Sequence, residues 1–179
     1  MLEWGLYMTI RQEKPSDYND VCELVKLAFA TNTDDDGTTH GYLNELREKD
    51  TFIPELSLVA ENDDGKIIGQ IVLYKTNITT LNGKLTELLL SPISVHPDYF
   101  RRGIARVMIN ESFRISKKMG YKAVFLCGDP ELYKKLGFVP SFEYNIFHIS
   151  DDSKKAEWSM VCELVENGLR EISGTVDTV

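Results

Sequence analysis

The chain has 179 residues, 42% of them hydrophobic and 27% charged, a composition that suits one soluble globular domain with a sizeable core. Its 28 Asp and Glu against 20 Lys and Arg give a formal net charge of -8, a field that repels phosphate and argues against nucleic acid or an anionic lipid surface as partner. No apolar run is long enough to cross a bilayer, so a small molecule, cationic rather than anionic, is the better partner.

Met1 to Met8 carries Glu3 where a secretion signal needs a cationic region, and Arg11 to Lys14 interrupts any apolar core, so a cytoplasmic location is expected. Cys22, Cys127 and Cys162 show no C-x-x-C spacing and read as buried thiols of a reducing compartment. His40, His96 and His148 lie far apart and form no ligand motif, so no metal site is expected.

In chain order, Met8 to Gln12 predicts a short strand. Ser16 or Asp17 can then cap a helix whose apolar positions Val21, Leu24, Val25, Ala28 and Phe29 recur at helical spacing. Thr31 to His40, with Asp34, Asp35, Asp36 and Gly37, lacks the alternating carboxylates of a calcium loop and reads as a solvated loop. A second helix is predicted from about Gly41 to Lys49. Leu56 to Glu61 and Lys66 to Thr76 read as an antiparallel pair around the turn Asn62-Asp63-Asp64-Gly65, and Asn82-Gly83 predicts a second turn leading into the apolar run Leu85 to Val95. Pro92 cannot donate to a ladder, so this strand should be bent or splayed there.

Gly103 to Lys118 predicts a helix and Ala123 to Cys127 a short buried strand, together a strand, helix, strand unit with right-handed parallel crossover. Glu131 to Leu136 reads as one short helix ended by Gly137. Phe142 to Ile149, Trp158 to Leu164 and Gly174 to Val179 read as late strands, with a charged turn at Asp151 to Lys155. The fold class is therefore mixed α and β in a single domain over residues 1–179, with a core at 8–140 and C-terminal strands at 141–179.

His96-Pro97-Asp98-Tyr99-Phe100-Arg101-Arg102-Gly103-Ile104-Ala105 places a turn between an apolar strand and a helix. The first amides of a helix have no intrahelical partners and form an anion site where no side chain crowds the approach. Gly103 and Ala105 are small there, and Arg101, Arg102 and Arg106 supply a basic island in an acidic chain. Neither G-x-G-x-x-G nor G-x-x-x-x-G-K-S/T is present, so the turn suits a phosphorylated ligand by a different pattern.

That segment resembles the pyrophosphate-binding turn Q/R-x-x-G-x-G/A of the GCN5-related N-acetyltransferases (GNAT), with Phe100 at the first position where glutamine or arginine is usual. Leu132-Tyr133-Lys134-Lys135-Leu136-Gly137-Phe138 is similar to the family's second mark, a tyrosine four residues before Gly-Phe. Leu90 to Pro97, Gly128 to Tyr133 and Trp158 to Gly168 resemble a bacterial subgroup of predicted acetyltransferases. The resemblance implies a mostly antiparallel sheet in which two neighbouring parallel strands splay apart, flanked by helices.

It also implies acetyl-CoA as cosubstrate and no metal. The strand backbone at Ile93, Ser94 and Val95 would pair with the pantetheine arm, and Arg101, Arg102, Gly103, Ile104, Ala105 and Arg106 would form the phosphate turn. A primary amine of a small molecule or peptide attacks the thioester directly, and Tyr133 protonates the departing thiolate. A homodimer is compatible with the resemblance.

Each role has a plainer counterpart. Tyr133 can be a core aromatic of a short helix. Glu87, the one carboxylate in its run, is the candidate base; the family's glutamate aligns with Leu89, on the same side of the strand, and the plainer reading of Glu87 is a solvated strand-start residue. His96 reads as structural, Asp129 as the cap of the helix that holds Tyr133, and Cys127 as an acyl carrier only if transfer is not direct. The alternative function is an acyl-CoA-binding or sensing module that does not turn its ligand over.

Overall fold

The structure, a computed structural model, describes residues 8–30 and 39–178. The aspartates at 34–36 lie outside the described residues. The strands are β1 (Met8–Gln12), β2 (Ser57–Asn62), β3 (Ile67–Thr80), β4 (Gly83–Val95), β5 (Ala123–Cys127), β6 (Val139–Pro140), β7 (Ile146–His148), β8 (Ser159–Glu163) and β9 (Gly174–Val176). The α-helices are α1 (Tyr18–Phe29), α2 (Thr39–Arg47), α3 (Ile104–Lys118) and α4 (Pro130–Tyr133). Hydrogen bonds join the strands in the order β1-β2-β3-β4-β5-β8-β6, and β9 pairs with β3 and β7. The ladders β1–β2, β2–β3, β3–β9, β5–β8 and β6–β8 are antiparallel, while β4–β5 and β7–β9 are parallel. This is the mixed, mostly antiparallel architecture with a parallel pair that the resemblance implies.

The chain forms two compact units, Met1–Val72 with Pro92–Ser112, and Leu73–Ser91 with Phe113–Val179. In the first, β1 runs against β2 from Met8↔Asn62 to Gln12↔Leu58. Helix α1 buries Val21, Leu24 and Val25, and Leu43 and Leu46 of α2 are fully buried. Asp17 stands at the start of α1 as expected, but its carboxylate does not cap that helix. It accepts from the Lys14 amide at 2.8 Å and from Arg11 Nη1 at 2.6 Å, while Arg11 also donates to Glu61. The Arg11 hydrogen bond leads in holding the Asp17 carboxyl below the usual range. Glu13 is buried against Arg47 and accepts from Ser57 Oγ at 2.7 Å, which joins α2 to the strand ends. Gly69 lets α3 approach β3, since a Cβ there would lie 3.0 Å from Met108 Sδ and 3.1 Å from Ile104 Cγ2.

In the second unit, β4 pairs with β5 only at Leu88↔Val124 and Leu89↔Phe125. That ladder ends three residues before Pro92, which has no amide to donate. The other edge of β5 is fully paired with β8, from Ala123↔Glu163 to Cys127↔Ser159. Phe142 to Ile149 departs from the expected strand: Ser141–Tyr144 is a 3₁₀ turn, Asn145 takes the left-handed φ of 57°, and only Ile146–His148 is extended. Asparagine tolerates that conformation better than other side chains, so the chain reverses there. Strand β6, with two residues, is too short to show a period in sequence.

Candidate active site

In the first unit, β4 ends at Val95 and a 3₁₀ turn, Pro97–Tyr99, leads to α3. His96 has the structural place expected of it: Nδ1 accepts from the Asp98 amide at 3.3 Å, the ring meets Tyr99 edge-on, and Nε2 stands 3.2 Å from Lys66 Nζ. Tyr99 accepts from Asn62 Nδ2 at 3.2 Å and carries the Arg102 guanidinium over its ring at 5.1 Å. Arg101 and Gly103 have left-handed φ values of 61° and 82°, with Arg102 between them outside that region. Alternation of this kind turns successive N–H groups toward one concave side, a geometry that collects anions. The Gly103 carbonyl accepts the first bond of α3, from the Val107 amide at 3.1 Å, so the concavity opens at a helix N-terminus.

Among the described residues, no atom beyond the glycine and its chain neighbours lies within 4 Å of the place a Gly103 Cβ would take, and Arg101, Arg102, Gly103 and Arg106 are exposed. Ile104 is buried, fastening the start of α3, and Ala105 is half-buried. Along β4, Pro92 and Ser94 face inward, while Ser91, Ile93 and Val95 keep partial exposure. Ile93, Ser94, Val95 and the turn residues are thus gathered in one unit.

Glu87 and Tyr133 belong to the other unit, at opposite ends of β5. Glu87 is buried rather than solvated, which corrects the strand-start reading. Its Oε2 accepts from the amides of Lys122 at 2.9 Å and Ala123 at 3.1 Å, holding the chain where β5 begins. Burial raises its pKa, with those two amides acting against the rise. Tyr133 follows the far end of β5, and the four steps from Ala123 to Cys127, at about 3.3 Å each, make that strand about 13 Å long.

Tyr133 closes α4, whose N-cap is Asp129, with Oδ1 accepting from the Glu131 amide at 2.9 Å, the capping place expected. The expected single helix is divided into α4 and a 3₁₀ turn, Lys134–Leu136, which Gly137 ends at φ 94°. The Tyr133 ring meets Phe138 edge-on, with centroids 5.8 Å apart, and Phe138 is buried. Burial first, and the Asp129 charge second, raise the Tyr133 pKa, so the phenol keeps its proton at neutral pH. A Cβ on Gly128 would strike this ring, a contact that sequence reading misses. The sequence signal was a glycine between a strand and a capped helix, five residues before the tyrosine.

Cys127, at the last position of β5, is 3.3 Å from Thr178 Oγ1, which is 2.7 Å from His148 Nε2. The Ser150 amide, which can only donate, points at His148 Nδ1 at 3.1 Å. In the neutral ring Nε2 therefore carries the proton and donates to Thr178, leaving the threonine hydroxyl to donate to sulfur. Cys127 is exposed and Cys22 and Cys162 are half-buried, not the buried thiols expected, yet burial of the Cys127 sulfur raises its thiol pKa more than Thr178 lowers it. A thiol so held is a poor acyl carrier at neutral pH. The His148 ring packs on Trp158 at 4.8 Å, and Trp158 keeps 41% of its surface exposed.

A further cavity of about 290 Å³ in the first unit is walled by Asp20, Glu23, Leu24, Leu27, Lys66, Ile67 and His96. Its mixed charges do not favour an anion as the turn does. Among the described residues no three His, Cys, Asp or Glu side chains gather closely enough to hold a metal ion, and no helix is long and apolar enough to cross a membrane.

A family model described as an acetyltransferase (GNAT) domain matches residues 9–141. An uncharacterized N-acetyltransferase of Escherichia coli (strain K12), YjhQ, is 28% identical over 137 residues, 75% of this chain and 71% of that protein. The crystal structure of the GNAT family N-acetyltransferase YhbS from Escherichia coli, in complex with CoA, is similar over 99% of this chain and 92% of its own, with a TM-score of 0.84 and 24% identity. A GNAT family acetyltransferase from Brucella melitensis, in complex with acetyl-CoA, is similar over 95% of this chain and 94% of its own, with a TM-score of 0.74 and 24% identity. At these identities the likeness to the two structures is one of fold.

Proposed function

The chain belongs to the GNAT acetyltransferase family, and on that premise we propose that it transfers an acetyl group from acetyl-CoA to a primary amine of a small molecule or peptide. The observation that carries this reading is the turn at Arg101 to Gly103, whose alternating backbone opens at the start of α3 with free space over Gly103. An anion site of that form, with three exposed arginines in and beside it in a chain of net charge -8, suits the phosphates of a coenzyme. The CoA and acetyl-CoA held by the two structural relatives support the same ligand here.

In this reading the amides at Arg102 to Ile104 receive the pyrophosphate, and Arg101, Arg102 and Arg106 offset its charge. The backbone at Ile93, Ser94 and Val95, where Ile93 and Val95 keep partial exposure, pairs with the pantetheine arm. Acetyl-CoA supplies the activated acyl group as a thioester. Tyr133 holds its proton until the thiolate departs and then delivers it, a task served by a phenol whose pKa burial keeps high. Cys127 takes no acyl group, so the amine attacks directly. Glu87 is assigned no proton, because its carboxylate is engaged by two amides at the other end of β5. The amine therefore arrives deprotonated or loses its proton to water.

The test is release of free thiol from acetyl-CoA across a panel of amines, amino acids, polyamines and antibiotics, beside a binding measurement without acceptor. Binding with amine-dependent release supports the enzyme. Binding with no release for any amine points instead to an acyl-CoA-sensing module, and no binding overturns the reading of the turn.

A further inference from the structure

Gly128 lies between Cys127, the last residue of β5, and Asp129, the cap of α4. Its φ is not left-handed, so the backbone there makes no demand for glycine. What the position lacks is room. A Cβ would come within 2.9 Å of Tyr133 Cδ2 and closer still to Cε2, with Leu126 Cδ1 at 3.4 Å.

The surroundings leave the collision only one outlet. The Gly128 amide donates to the Trp158 carbonyl at 2.9 Å, and the residue before it is paired with Ser159, so the backbone is fastened to β8. Phe138, 1% exposed, stands against the tyrosine ring, and the amide of Phe138 donates to the Tyr133 carbonyl at 3.1 Å. A side chain at 128 must therefore displace the phenol ring.

We infer that Gly128 is a positioning residue for Tyr133: its missing side chain is the berth that one edge of the phenol ring, at Cδ2 and Cε2, occupies against the end of β5. The inference rests on the reading of Tyr133 as proton donor for its catalytic consequence, while the berth itself rests on geometry. To regain ordinary contact at 3.4 Å the ring must withdraw by at least 0.5 Å at Cδ2, and by more at Cε2. Misplacing a reacting group on the order of 1 Å costs on the order of 10²-fold in rate.

The experiment is a pair of double-variant cycles. In thermal unfolding, Gly128→Ala lowers Tm in the parent, whereas in a Tyr133→Ala chain the same change has no effect, because the colliding ring is gone. An equal drop in both backgrounds overturns the inference. In thiol release from acetyl-CoA, with the panel amine that gives the fastest turnover, Gly128→Ala lowers kcat by on the order of 10²-fold with an unchanged KM for acetyl-CoA, and adds nothing to Tyr133→Phe. Losses that multiply in the double variant also overturn it, since Gly128 then acts by another route. Should Tyr133→Phe alone turn over at the parental rate, the catalytic reading of Tyr133 fails, and the unfolding cycle still decides whether Gly128 forms the berth.

Discussion

Glu87→Gln separates an anchoring carboxylate from a catalytic one, because glutamine keeps an oxygen for the amides of Lys122 and Ala123 while removing the charge. Burial raises the folded pKa of Glu87 above its unfolded value. Between those two values the folded state holds the extra proton, so the contribution of Glu87 to stability is full below the ordinary glutamate range and declines as pH rises through the folded pKa. The glutamine variant has no such titration. A scan of Tm against pH should therefore be flatter for Glu87→Gln than for the parent, and at neutral pH the variant should melt at or above the parental temperature.

Glu87→Ala, in contrast, strands two donors. Lys122 is exposed and can turn to water, but Ala123 is fully buried. With a cost of about 1–3 kcal/mol for the one stranded buried donor, the loss is about 1–3 kcal/mol. That corresponds to roughly 2–12 °C in Tm for a chain of this size. Calorimetric scans of both variants, with thiol release measured alongside, decide the matter. A glutamine variant that melts like the parent but loses on the order of 10²-fold in turnover refutes the reasoning, because Glu87 would then be moving a proton.

Two predictions concern the turn. Gly103→Val has open space at its Cβ but forces a side chain into a φ of 82°, so it should lower Tm modestly and abolish CoA binding in a titration calorimeter. CoA binding at parental affinity by the folded variant would remove the turn as phosphate site. Replacing Arg101, Arg102 and Arg106 together by glutamine should weaken CoA binding most at low salt, because screening hides exposed charges; identical affinities across a salt series would leave the arginines as a solvated face.

Much of this was legible in the sequence because local rules governed it. The bounds of β1 and β5 follow from short apolar runs between turns, α3 from its spacing, and the end of the α4 segment from Gly137. Pro92 announced a break in pairing, and the β4–β5 ladder stops short of it. Other features depend on partners distant in the chain. Period two gave the side of β4 on which Glu87 lies, but not its depth, since the amides that hold it come from 35 and 36 residues later. Asp17 was legible as a helix-start residue, yet Arg11 and Lys14 compete for its oxygens. Gly128 carries no sign of its purpose in its own backbone, because only the folded position of Tyr133 gives its missing side chain a meaning.

The most direct measurement is Tyr133→Phe, which removes a hydroxyl and keeps the ring against Phe138 and Gly128. Acetyl-CoA affinity and Tm should match the parent, while amine-dependent thiol release falls by roughly 10²- to 10⁴-fold, the range of general acid catalysis, because the lost interaction belongs to the transition state. Parental turnover by the variant, with chemistry shown to limit the rate, would contradict the account and leave Tyr133 a packing residue.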